Sequence, residues 1–78
     1  MSHSDRIRKV MANVDGSNVL VPEICKPEEI IRLAGAKPES RDLALRTPEG
    51  LLEIIKKYQT IRVKENMKFE LNIIIKGG

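Results

Sequence analysis

Phe69-Glu70-Leu71-Asn72-Ile73-Ile74-Ile75-Lys76-Gly77-Gly78 is the last stretch of the sequence. As a strand it puts Phe69, Leu71, Ile73 and Ile75 on one face and Glu70, Asn72, Ile74 and Lys76 on the other. It is the most apolar strand candidate in the chain, which predicts a central place in a sheet. Ile73 and Ile75 are expected to anchor it. Two glycines then follow without side chains. Glycine has no Cβ, so such a tail fits a narrow cleft, takes any φ required there, and can present a carboxylate to another protein's active site.

Working back from that strand, the remaining segments supply a scaffold. Arg6 to Val14 alternates as a strand with Val10, Ala12 and Val14 on one face. Asp15-Gly16 is a hairpin signal, because tight turns need positive φ. Asn18 to Ile24 reads as a second strand. Pro22 has no N–H for a ladder, so that strand belongs at a sheet edge. Lys26-Pro27-Glu28-Glu29 opens a helix, with proline at the first helical position and acids near the positive end of the dipole. Cys25 is placed to pack on Ile30 as a staple. Ile30, Leu33 and Ala34 are the expected buried face, widened by Ile31. Gly35 caps the helix and Pro38 opposes its continuation.

Asp42 to Arg46 is a third strand, with Leu43 and Leu45 sharing a face. Thr47-Pro48-Glu49-Gly50 has the residue preferences of a type I turn. Leu51 to Ile55 reads as a short return strand or one helical turn. Lys56 to Thr60 is a polar connection, Ile61-Arg62-Val63 a further short strand or turn, and Asn66 suits a turn. A helix that follows a hairpin, then more strands, buries every apolar face by packing on one mixed sheet. The expected fold is α+β, a β-grasp with a mixed four- to five-stranded sheet on one helix. Residues 1–5 are expected as a flexible N-terminus, 6–75 as the domain and 76–78 as a flexible tail.

Composition bounds the function. Seventy-eight residues make one domain, and a domain of this size buries only about 60% of its unfolded surface. The formal net charge of +3 comes from 14 basic and 11 acidic residues in a mixed pattern, not the basic stripe of a nucleic-acid binder. One Tyr and one Phe provide no stacking platform for single strands. With Cys25 alone, no internal disulfide forms and a reducing compartment is the simpler reading. Without an apolar leader or a run of membrane-spanning length, the protein is expected in the cytoplasm, with no membrane partner. His3, near the N-terminus, has no neighbouring ligand to make a metal site. No catalytic constellation, metal cluster or phosphate loop is present in the sequence, so the chain is not expected to be an enzyme.

The Val14-Asp15-Gly16 hairpin, the helix Glu28-Glu29-Ile30-Ile31-Arg32-Leu33-Ala34-Gly35 and the strand Asp42-Leu43-Ala44-Leu45-Arg46 together resemble the ubiquitin-like β-grasp proteins. Ile61-Arg62-Val63, Met67-Lys68-Phe69 and Gly77-Gly78 extend the likeness over nearly the whole chain from Arg6. The chain looks most like the bacterial ubiquitin-like and multiubiquitin-type domains. It lacks the run of basic and leucine residues that precedes the diglycine of eukaryotic ubiquitin.

The resemblance implies a protein modifier. An E1-like activating enzyme would adenylate the Gly78 carboxylate with ATP, an E2-like conjugating enzyme would pass it to target proteins, and a deconjugating peptidase would release it. Gly77 and Gly78 are then the conjugation residues. Ala44, Ile74 and Lys76 are the candidate docking surface, Ile74 with Ala44 forming a small apolar spot like ubiquitin's recognition surface. Lys9, Lys37, Lys56, Lys57 and Lys64 are candidate acceptors of a second modifier. The protein is expected to be a monomer without a cofactor of its own. Two alternatives share the fold: a sulfur carrier ending in a thiocarboxylate, and a non-conjugated interaction domain excised from a longer chain.

Overall fold

Asp15 and Gly16 have φ values of 53° and 86°, the pair of positive angles that a type I′ turn demands. They join β1 (Lys9–Val14) to β2 (Ser17–Pro22), and Val14 pairs with Ser17 directly across the turn. The remaining elements are β3 (Ile24–Cys25), α1 (Pro27–Leu33), β4 (Arg41–Arg46), β5 (Leu52–Ile55), β6 (Ile61–Arg62) and β7 (Met67–Ile73). The computed structural model describes residues 8–74. Arg6, Ile7, Ile75 and both expected flexible ends therefore lie outside the described residues.

The main sheet has the order β2-β1-β7-β4-β5, and β3 with β6 forms a separate ribbon. β7 runs parallel to β1 and antiparallel to β4. One helix covers one face of this mixed sheet, the α+β arrangement of a β-grasp fold. The expected central position of the last strand and the edge position of β2 are both found.

Strand alternation builds the core. Val10, Ala12 and Val14 from β1, Val21 from β2, Leu43 from β4 and Phe69 from β7 face Ile30 and Ile31 of α1, with Cys25 and Val63 closing the end. Cys25 and Ile30 share this cluster, as the staple reading expects. Phe69 is the chain's one phenylalanine and is almost fully buried.

The helix presents a different face from the expected one. Leu33 is 52% exposed, whereas Ile31 is fully buried. Pro27, Ile30, Ile31 and Ala34 follow the i, i+3, i+4, i+7 rule. At about 100° per residue, Leu33 falls ~60° beyond the edge of that stripe. Ala36 N–H donates to Ile31 O and Gly35 N–H to Arg32 O, each at 3.0 Å. With Gly35 at φ 89°, this is a Schellman ending.

Two strands also differ from expectation. The segment from Asn18 to Ile24 is not continuous, because Glu23 divides β2 from β3. Glu23 N–H donates to Arg8 O, and its carbonyl accepts Val63 N–H, each at 2.7 Å. One residue therefore bonds Arg8, just before β1, on one side and Val63, just after β6, on the other. Ile73, expected as an anchor, is 69% exposed. β1 pairs with β7 only as far as Phe69, so Ile73 extends past the strand that would flank it.

These burial patterns set the energetics. Ile31→Ala should lower stability by about 2–5 kcal/mol, as expected for an emptied aliphatic core site. Leu33→Ala should change it by less than about 1 kcal/mol. Urea denaturation of both variants measures the difference, and equal losses would contradict the assigned helix face.

Candidate functional site

β7 is held from both sides as far as Leu71 and from the β4 side alone as far as Ile74. Asp15 N–H donates to Phe69 O at 3.0 Å. Its carboxylate Oδ1 then accepts Leu71 N–H at 3.2 Å. The Asp15 side chain thus supplies an acceptor where β1 turns away. On the other side β4 stays paired with β7 through Arg41 and Ile73. Ile74 N–H donates to Ser40 O at 3.2 Å, one residue beyond the strand. Ile75, Lys76, Gly77 and Gly78 follow in sequence; Gly77 and Gly78, expected as conjugation residues, and Lys76, expected in the docking surface, lie outside the described residues.

The face of the sheet away from α1 carries Asp42, Ala44 and Arg46 of β4 and Lys68, Glu70 and Asn72 of β7. Ala44 is on this face, as the docking reading requires, but it is fully buried. It lies between Glu70 of β7 and Ile54 of β5, and a methyl group is shorter than either neighbour. Ile74 is only partly exposed. It lies four residues beyond the partner of Ala44, or about 13 Å along the strand. The structure does not bring Ala44 and Ile74 into one exposed spot.

The exposed apolar side chains near Ala44 come from β5. Leu52 is 44% exposed and Ile54 57%, with Leu51 at 65% just before them. Register places Leu52 opposite Arg46 and Ile54 opposite Ala44. The signal for this patch was available in the alternation of Leu52 and Ile54 about Glu53, but only once this segment is read as a strand rather than a helical turn. The hairpin that fixes that reading is a type I turn followed by Gly50 at φ 88°. Gly50 N–H donates to Thr47 O at 2.9 Å, and Thr47 N–H to Leu51 O at 2.8 Å.

Two pairs of charged groups meet on or beside this face. Arg46 bonds Glu70, a surface contact worth at most about 1 kcal/mol. Lys57 Nζ donates to Pro38 O at 2.7 Å and lies 3.6 Å from Asp42. Its amine is thus engaged and only 18% exposed, unlike Lys9, Lys37, Lys56 and Lys64, which are exposed. Of the five candidate acceptor lysines, Lys57 is the poorest nucleophile by position.

Cys25 is buried in the core. Burial, followed by the negative charge of Glu29, pushes its thiol from 9.0 to about 11. It therefore stays protonated at neutral pH, the state of an inert packing thiol. Among the described residues no three His, Cys, Asp or Glu side chains converge to hold a metal. No helix among them is long and apolar enough to cross a membrane. No protein-family model, curated protein or solved structure matches this chain.

The thiol provides a measurable check. At pH 8 its thiolate fraction should be ~100-fold lower than that of the unfolded chain, so alkylation of the folded protein should be slower by at least that factor. Above pH 9.0 the unfolded chain loses a proton that the folded chain keeps up to about 11. Stability should therefore fall as pH rises through that window. Cys25→Ala should remove this component of the decline, as followed by denaturant titration at several pH values.

Proposed function

We propose that this protein is a ubiquitin-like modifier of the bacterial type, conjugated through the carboxylate of Gly78. The observation that supports it best is the position of β7. The strand that leads to Gly77-Gly78 is the middle strand of the sheet, between β1 and β4. A tail attached there can be drawn into an enzyme's cleft while the fold stays intact, because β7 is bonded on both sides as far as Leu71 and on the β4 side as far as Ile74.

The chemistry needs a bound tail and an outside source of activation. The Gly78 carboxylate, whether it ends the chain or is exposed by cleavage, attacks the α-phosphorus of ATP and displaces pyrophosphate. A thiolate of the activating enzyme then attacks the acyl carbon and displaces AMP. After transfer to a conjugating enzyme's thiol, a target amine attacks the thioester, loses its proton and releases that thiol. Gly77 and Gly78 leave the acyl carbon open to each nucleophile. This chain contributes the acyl group and the docking surface, and its partners contribute the catalysis. Ile74 and Lys76 flank the tail and are proposed contacts for the activating enzyme.

Incubation with an E1-like activating enzyme, a conjugating enzyme and ATP should give covalent adducts of higher mass. A form lacking Gly78 should give none; adducts that persist would defeat the proposal. Intact mass of the protein from native cells distinguishes the relatives in mechanism. An oxygen-to-sulfur increase at the C-terminus without lysine adducts would assign a sulfur carrier instead. If chains form, Gly-Gly remnants should appear on exposed lysines such as Lys9, Lys37, Lys56 or Lys64 and not on Lys57.

A further inference from the structure

Asp15-Gly16 is the one place in the sequence where an aspartate or asparagine is followed by glycine. Every other Asp and Asn precedes Arg, Leu, Val, Met or Ile. The difference is chemical. A side-chain carboxyl carbon can be attacked by the backbone nitrogen of the next residue, closing a five-membered ring. Glycine nitrogen is the least hindered for this attack, because no Cβ stands beside it. Asp15 and Gly16 are both exposed, so water reaches the ring once it forms.

The native turn engages both reacting groups elsewhere. Gly16 N–H donates to Asn13 Oδ1 at 3.1 Å, and Asp15 Oδ1 accepts Leu71 N–H at 3.2 Å. The nitrogen is thus directed toward β1 and the carboxylate toward β7. The φ values of 53° and 86° fix the backbone between them. Asn13 is steadied in turn by donating Nδ2–H to Asn18 Oδ1 at 3.4 Å. Ring closure requires Asp15 to leave Leu71 and Gly16 to leave Asn13. That is a local opening of an exposed turn, and such openings cost less free energy than unfolding the whole domain.

We propose that Asp15-Gly16 is a site of spontaneous isoaspartate formation, restrained by the bonds to Asn13 and Leu71, and that the product releases β7 from the first hairpin. In the opened turn Gly16 N attacks Cγ of the protonated Asp15 carboxyl. The carboxyl hydroxyl leaves as water, taking the proton of the nitrogen. Water then adds to the succinimide at one of two carbonyls. Addition at Cγ breaks the Cγ–N bond and restores Asp15. Addition at the main-chain carbonyl breaks its bond to Gly16 N, and the chain thereafter runs through Cβ and Cγ. One water is lost and one gained, so the mass is unchanged and nothing is oxidised or reduced. The product has an extra methylene in its backbone, which is incompatible with the paired positive φ of a type I′ turn. Its free carboxylate sits directly on Cα, one carbon short of its former reach toward Leu71. β7 then keeps its bonds to β4 and loses the acceptor that Asp15 supplied.

The full chain is aged in mildly acidic buffer, folded and in urea, and electron-transfer fragmentation of its peptides locates the rearranged linkage. In urea isoaspartate should accumulate at Asp15 ahead of every other Asp and Asn. In the folded chain it should form at the same residue at least ~10-fold more slowly. Asn13→Ala, checked as folded by circular dichroism, should age ~3- to 10-fold faster than the parent, the factor expected for one lost hydrogen bond. Asn18→Ala removes the other contact of Asn13 and should age like the parent. Amide exchange on the purified isoaspartate form should show Leu71 N–H faster by at least ~10-fold, with Ala34 N–H of the helix end unchanged. Equal ageing of the folded and unfolded chains overturns the proposal, as does isoaspartate that forms first elsewhere or not at all. A folded Asn13→Ala variant that ages no faster than the parent overturns it too. So does a rearranged form whose Leu71 N–H is as protected as before; these last comparisons of parent, urea and aged chain need no variant to fold.

Discussion

The parallel pairing of β1 with β7 is the contact on which the rest of the structure depends. It brings the two halves of the sheet together, the β1–β2 hairpin on one side and the β4–β5 hairpin on the other. It also places Phe69 in the middle of the inner face, where the one large aromatic core residue meets aliphatic side chains from both halves and from α1. Parallel strands cannot be joined by a tight turn. The long passage between β1 and β7 therefore has to carry the helix, β4, β5 and the β3–β6 ribbon.

A small domain with an aliphatic core has little stability to spare, and several local devices maintain this one. The type I′ turn holds β1 and β2 in register, and the Schellman ending stops α1 after seven residues. Glu23 bonds the main sheet and the ribbon together with its two backbone groups. Asp15 belongs to the first hairpin yet bonds the last strand twice, through its backbone N–H and its carboxylate. The proposed use of the tail draws on the same devices, since they fix the strand that precedes it.

Much of the fold was legible because punctuation and periodicity agreed. Asp15-Gly16, Thr47-Pro48-Glu49-Gly50 and Gly35 marked the ends of elements, and Pro22 marked an edge. The disagreements arose where a tertiary contact decided between similar residues. Leu33 and Ile31 are both apolar, and a helix this short offers too few turns to show which one points inward. Ile73 alternates correctly with Phe69 and Leu71, but alternation does not report where the neighbouring strand ends. Ala44 was placed on the correct face, while its burial depends on the length of Glu70 and Ile54 beside it. The apolar patch of β5 was hidden for a related reason: Leu51 to Ile55 fits a helical turn as well as a strand until the hairpin pairs it with β4.

The parallel arrangement of β1 and β7 also has a mechanical meaning. The chain enters the sheet at one end of β1 and leaves it at the opposite end of β7. Tension applied along the chain between its two sides therefore draws these neighbouring strands past each other lengthwise. Their shared hydrogen bonds are loaded together, in shear, and do not open one after another as in a hairpin pulled from its free ends. The two bonds from Asp15 lie at the far end of that contact and carry part of the same load. A fold held by a modest core can in this way resist a directional pull more strongly than its size suggests.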